Sequence, residues 1–333
     1  MCRLFGFRSN VISRAHRSLV QAENAVSQQA RRHQDGWGIG YFLGNEAYVH
    51  KSQAGAAGDD QFQLISERLR SHTFLVHVRH ATVGSICSFN AHPFRHGTWM
   101  FAHNGSLWEF EAHHQRHLLD NTAPDLRDLI FGATDSEHLF YYLLTALRRA
   151  GIPADGRGEI DVTLAAEIIR EALVPLFRIA IQNGIDPPKV NFILTNGEVM
   201  FAQRAGMELY LATQKLSCMD FHSCQEPEKV CMGQPMPSLG LISKRPSRSR
   251  RCNHLIVASE PLSSEDVWEE IPDGRMVTLD SSLRLRLHPA IEDFSVSWPH
   301  ALKPPPDRDG VIRFAEVSLP GAGAETLRRP AEG

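Results

Sequence analysis

The residue with the most evident chemical potential in this chain is the cysteine directly after the initiator methionine. Once Met1 is removed, Cys2 carries a thiol and a free α-amine on one carbon. The amine has an ordinary pKa of about 7.7–8.0 and the thiol about 8.5, so one takes the other's proton without a separate histidine. That is the arrangement of an N-terminal nucleophile, although a cysteine at position 2 read alone is also just a small apolar residue. Three other positions bear on the choice. Arg79 closes an apolar run and offers a planar fork that fits a carboxylate in two-point fashion, or equally an ordinary surface ion pair. Asn104-Gly105 ends a second apolar run, as amide donors beside a bare backbone or as a plain turn. Asp135 lies in Thr134-Asp135-Ser136-Glu137, whose spacing is that of a capping box, so its charge also suits a helix start. His113-His114-Gln115-Arg116-His117 has no carboxylate or Cys motif around it, which reads as a solvated helix face and no metal site.

The elements that must hold these residues alternate in blocks. Residues 4–8 predict a short strand anchoring Cys2, followed by a helix-permissive stretch over 13–32. Gln34 to Leu43 predicts a turn and a strand whose alternate glycines leave one face bare, paired with 47–50 across Gly44-Asn45. Something must approach that bare face closely, either sheet packing or a ligand. A helix over 61–71, a strand from Thr73, a loop over 88–97 and a strand over 98–103 follow. Helices are expected from 134 to 149 and from 163 to 182, the second kinked at Pro175. A hairpin turning on Asn196-Gly197, then strands over 208–213, 254–259, 275–279 and 283–287, complete the pattern. Blocks of strands and helices predict two sheets covered by helices rather than a βαβ alternation.

With 333 residues, 42% hydrophobic and 22% charged, the chain can bury a sizeable core and fits a globular class. Net charge of −3 argues against a nucleic-acid binder. The absence of a long apolar run or a leader pattern argues against a membrane and for a cytoplasmic location. Six scattered cysteines predict reduced thiols, with no zinc pattern among Cys218, Cys224, Cys231 and Cys252. Residues 214–253 break the strand pattern and read as an insertion within a domain spanning 2–298. Residues 299–333 read as a Pro/Gly-rich tail.

Taken in order, Met1-Cys2, His77-x-Arg79-x-Ala81-Thr82-x-Gly84, Asn90-Ala91-His92-Pro93, Ala102-His103-Asn104-Gly105 and Thr134-Asp135-Ser136-Glu137 resemble the class II glutamine amidotransferase domain. Val257-Ala258-Ser259-Glu260-Pro261-Leu262 resembles its stand-alone, single-domain members. The resemblance implies an α+β fold, the N-terminal nucleophile hydrolase αββα four-layer sandwich. It also implies a site in which Cys2 attacks the γ-carboxamide of glutamine and Asn104 with the Gly105 N–H holds the oxyanion. Arg79 would take the substrate α-carboxylate with Thr82 and His92 nearby, and Asp135 the α-ammonium. A γ-glutamyl thioester and its hydrolysis to glutamate and ammonia follow, with no metal or cofactor. Larger members have an aromatic residue after the Arg and a His after the Thr, where this chain has His80 and Val83. No synthetase domain is expected in the roughly 40 residues beyond the match. The alternatives are a larger γ-glutamyl substrate, such as a glutathione-like or hercynine-related conjugate, or an ammonia-supplying or regulatory subunit of a partner synthetase.

Overall fold

The computed structural model describes residues 2–32, 35–80, 87–215 and 252–291. In chain order its strands are β1 (Arg3–Ser13), β2 (Trp37–Leu43), β3 (Glu46–Ser52), β4 (Ser71–Val78), β5 (Phe94–His96), β6 (Trp99–Ser106) and β7 (Lys189–Thr195). They continue as β8 (Met200–Gln203), β9 (Tyr210–Lys215), β10 (His254–Ala258), β11 (Asp266–Glu270), β12 (Met276–Leu279) and β13 (Leu285–Leu287). The α-helices are α1 (Val26–Gln29), α2 (Asp60–Arg68), α3 (Gln115–Asn121), α4 (Pro124–Arg127), α5 (Asp135–Arg149) and α6 (Val162–Asn183).

One sheet runs β11-β9-β10-β1-β4-β2-β3 and the other β13-β12-β8-β7-β6-β5, every described pair antiparallel. Alternation along the strands gives each sheet two apolar faces. The inner faces meet through Leu4, Leu75, Leu255 and Val257 on one side and Met100, Ala102, Ile193 and Met200 on the other. The outer face of the first sheet packs Phe5, Ile39 and Val76 against Leu19, Val26 and Phe62. The outer face of the second packs Phe101, Phe192 and Phe201 with Leu139, Leu143 and Phe177 of α5 and α6. The result is the expected four-layer αββα sandwich.

Several elements differ from the sequence reading. The first strand runs to Ser13, with an irregularity between Arg8 and Ser13. The stretch after it is not one helix: Ala22 and Ala25 are extended (ψ 157° and 154°) and cut it into short turns that fold onto the sheet. β6 does not stop before Asn104-Gly105 but carries both as paired strand residues opposite Asn191 and Val190. The hairpin at Asn196 spans four residues, because the Asn196 carboxamide oxygen accepts from the N–H groups of Glu198 and Val199 and moves the first pair to Thr195 and Met200. Pro175 lies inside α6, which runs on past it to Asn183. Thr134 caps α5 by accepting the Glu137 N–H, but the Glu137 carboxylate turns to the Gly132 N–H, so the box closes on one side only. His114 is fully buried rather than solvated, and burial holds its pKa down at about 4. The insertion and tail expectations fall mainly on 216–251 and 292–333, outside the described residues.

The bare face of β2 is filled by protein. A Cβ on Gly38 would lie 2.0 Å from the His92 carbonyl oxygen, so the His92-Pro93 segment, joined by a cis peptide, packs into the space that missing side chains leave between the sheets.

Candidate active site

Cys2 enters β1, a central strand of the seven-stranded sheet, with β10 on one side and β4 on the other. Its Sγ sits against the main chain of residue 80: the His80 N–H donates to it at 3.2 Å and the thiol donates to the His80 carbonyl at 3.3 Å. Burial pushes the thiol pKa up, partly offset by the His80 N–H and by the Arg79 charge, and Asp135 adds to the rise.

From the opposite sheet, Asn104 on β6 reaches across and donates from Nδ2 to the Cys2 carbonyl oxygen at 2.9 Å. Its side chain is dry, at 3% exposure, and the same nitrogen lies 3.5 Å from the Ser259 hydroxyl. Gly105 is glycine for a reason the sequence reading did not contain. A Cβ there would fall 1.8 Å from the Lys189 carbonyl oxygen, so the pairing of β6 with β7 already forbids a side chain.

Arg79 follows β4, is 4% exposed, and is fixed at its backbone by a 2.8 Å bond from its N–H to the Gly36 carbonyl. Asp135, the first residue of α5, is equally buried and accepts from the Leu107 N–H at 2.8 Å and the Ser136 hydroxyl at 3.1 Å. Ser136 in turn meets His103 Nδ1 at 2.9 Å, while His103 Nε2 lies 3.0 Å from the Lys189 carbonyl. A carbonyl only accepts, so the proton of a neutral His103 sits on Nε2, and the single Ser136 hydroxyl proton is then shared between Nδ1 and the Asp135 carboxylate. Burial lowers the His103 pKa, and the nearby Asp135 charge and the bond to the Lys189 carbonyl oppose that.

His92 forms part of the wall beside this group. Its ring lies 4.2 Å from that of His77, centroid to centroid, and edge-on to Phe94. Among the described residues neither of its ring nitrogens has a hydrogen-bond partner, and burial drives its pKa well below the ordinary value, with His77, His103, Lys51 and Arg79 adding to the drop. It is a neutral surface, not a charge partner. Thr82 lies outside the described residues. Among the described residues no cluster of three or more His, Cys, Asp or Glu could hold a metal ion. No described helix is long and apolar enough to cross a membrane.

Three participants escaped the sequence reading as site components: the main chain of His80, the Ser136–His103 pair behind Asp135, and Ser259. Ser259 stood out only as part of a similarity to stand-alone proteins. Its place between the sheets depends on β10 pairing with β1, more than 250 residues away along the chain.

Comparison with known proteins bears on the family and the fold. A Saccharomyces cerevisiae protein named "Probable glutamine amidotransferase DUG3" is 26% identical over 322 residues, covering 88% of this chain and 85% of its own. The Mycobacterium tuberculosis "Gamma-glutamyl-hercynylcysteine sulfoxide hydrolase" is 44% identical over 249 residues, covering 73% and 74%. A solved class-II glutamine aminotransferase domain protein from Silicibacter pomeroyi superposes with a TM-score of 0.57 at 18% identity, covering 88% of this chain and all of its own, and so shares the N-terminal nucleophile hydrolase fold. The family model "Glutamine amidotransferases class-II" matches residues 1–291, and the chain belongs to that family of enzymes.

Proposed function

We propose that the protein hydrolyses a γ-glutamyl amide, with Cys2 as nucleophile and a γ-glutamyl thioester as intermediate. The observation that carries this reading is the approach of Asn104 from the opposite sheet to within 2.9 Å of Cys2, next to buried Arg79 and Asp135. The α-amine of processed Cys2 takes the thiol proton, and sulfur attacks the γ-carbonyl carbon. The negative charge that builds on the carbonyl oxygen is met by the Asn104 amide and the Gly105 N–H. The C–N bond breaks as the α-ammonium returns its proton to the leaving amine, and water then cleaves the thioester to glutamate and free thiol. Arg79 holds the α-carboxylate and Asp135 the α-ammonium, each already desolvated, so the reacting carbon is placed without further ordering.

Glutamine is the simplest substrate, with ammonia as the leaving group. A larger γ-glutamyl conjugate is the second reading, supported by the 44% identity to a protein named for hydrolysing γ-glutamyl-hercynylcysteine sulfoxide. Turnover of glutamine against γ-glutamyl conjugates by protein lacking Met1, read by mass spectrometry, separates them. A γ-glutamyl adduct on Cys2 with either substrate class supports the chemistry. No product and no adduct from any γ-glutamyl amide rejects it.

A further inference from the structure

Ser259 follows directly on β10 and joins three parts of the molecule. Its hydroxyl oxygen accepts the Leu4 N–H at 2.9 Å, and its own N–H donates to the Leu4 carbonyl at 3.1 Å, so the residue is doubly tied to the strand that carries Cys2. On its other side the same hydroxyl faces Asn104 Nδ2. That nitrogen has two hydrogens and, within reach, two acceptors: the Cys2 carbonyl at 2.9 Å and Ser259 Oγ at 3.5 Å. With oxygens on both sides, the amide must present its NH2 end to the nucleophile, since the flipped rotamer would set Oδ1 against the Cys2 carbonyl. Both amide hydrogens are thus directed at protein oxygens, so donation to an oxyanion requires the hydrogen on the Cys2 carbonyl to be released to it while the long Ser259 contact keeps the amide oriented. The next residue reinforces the same point: the Glu260 carboxylate pairs with Arg3, whose guanidinium donates to the Cys2 carbonyl at 3.3 Å, and it accepts from Asn24 at 3.3 Å.

We infer that Ser259 is a positioning residue, which sets the facing of the Asn104 amide and locks it in register with Cys2 across the two sheets. It touches no reacting atom. This rests on the reading of Asn104 as the donor to the oxyanion. If it is correct, losing the serine weakens stabilisation of developing charge but leaves ground-state binding at Arg79 and Asp135 intact.

The test is a double-mutant cycle in the full-length processed protein on a γ-glutamyl amide that it turns over. Ser259→Ala is expected to lower kcat about tenfold with KM within about twofold, a fraction of what removing the donor itself costs. In the Asn104→Ala background the same change is expected to lower kcat by less than about twofold, because there is no amide left to orient. A tenfold loss in both backgrounds overturns the inference and makes Ser259 a support of β1 alone. A loss confined to KM, or no loss in the wild-type background, overturns it as well. If Asn104→Ala itself leaves kcat unchanged, the underlying assignment of Asn104 falls, whatever Ser259 does.

Discussion

The two ends of strands β1 and β4 carry two contrasting groups of polar residues. At one end stand Cys2, Arg79, Asn104 and Asp135. At the other, the far ends of β1, β2 and β4 with the Asn196 turn and the 156–160 loop line a cleft of about 810 Å³ carrying Arg8, Arg70, Arg157, Glu159 and Glu198. Charge alone does not distinguish them. Water does: Arg79, Asn104 and Asp135 are each under 5% exposed, whereas the Arg157–Glu46 pair of the far end is half exposed on both sides. A dry donor keeps its orientation and its full electrostatic strength, while a wet one shares both with solvent. The near end is therefore suited to stabilise charge that appears for an instant, and the far end is not.

That contrast can be broken most directly at Cys2. Cys2→Ala is expected to remove turnover by a factor of roughly 10³ or more and to abolish any γ-glutamyl adduct in the intact mass. Asn104→Ala should lower kcat by about 10²–10³, some 2.7–4 kcal/mol, read in steady-state kinetics with KM little changed. Arg79→Lys keeps the charge but loses the fork, and an increase of about tenfold or more in KM is the expected result. Acid titration of stability sharpens the contrast from outside the site. Burial holds His114, His254 and His288 at pKa values of about 4, so between pH 6.5 and 4 the unfolded chain binds more protons than the folded one. Their contribution is present in full above pH 6.5 and falls with pH, by on the order of 1–2 kcal/mol each at pH 5, measurable as denaturant midpoints. Arg157→Ala at the far end should change neither turnover nor the denaturant midpoint measurably.

The difference between the two ends also marks what was legible in the sequence. Helix α5 was readable from its cap and its apolar stripe, because both are local. The two-sheet architecture was readable from blocks of alternating residues. The path of β6 through Asn104-Gly105 was not, since an Asn-Gly pair has the local chemistry of a turn and only the partner strand β7 holds it extended. The same applies to β11, whose Asp266–Glu270 segment is too polar to announce a strand and forms one by pairing with β9. Around Cys2, the motif residues could be named from the family resemblance, but not that Asn104 donates to the Cys2 carbonyl or that the His92 ring packs against His77 and Phe94. Those facts depend on how one sheet is set upon the other. The alternate glycines of β2 suit either sheet packing or a ligand, and the His92-Pro93 segment decides it for packing at Gly38.

The seating of β1 has a consequence for when the protein becomes competent. Its neighbours are β4, some 70 residues on, and β10, beyond residue 250, while Ser259 closes the contact to Leu4. Cys2 thus precedes by some 250 residues the strand and the hydroxyl that hold β1 on that side. A nascent chain shorter than about 260 residues holds the thiol without the strand and hydroxyl that fix it. Arrival of β10 and Ser259 is the step that fixes Cys2 in its place in the sheet.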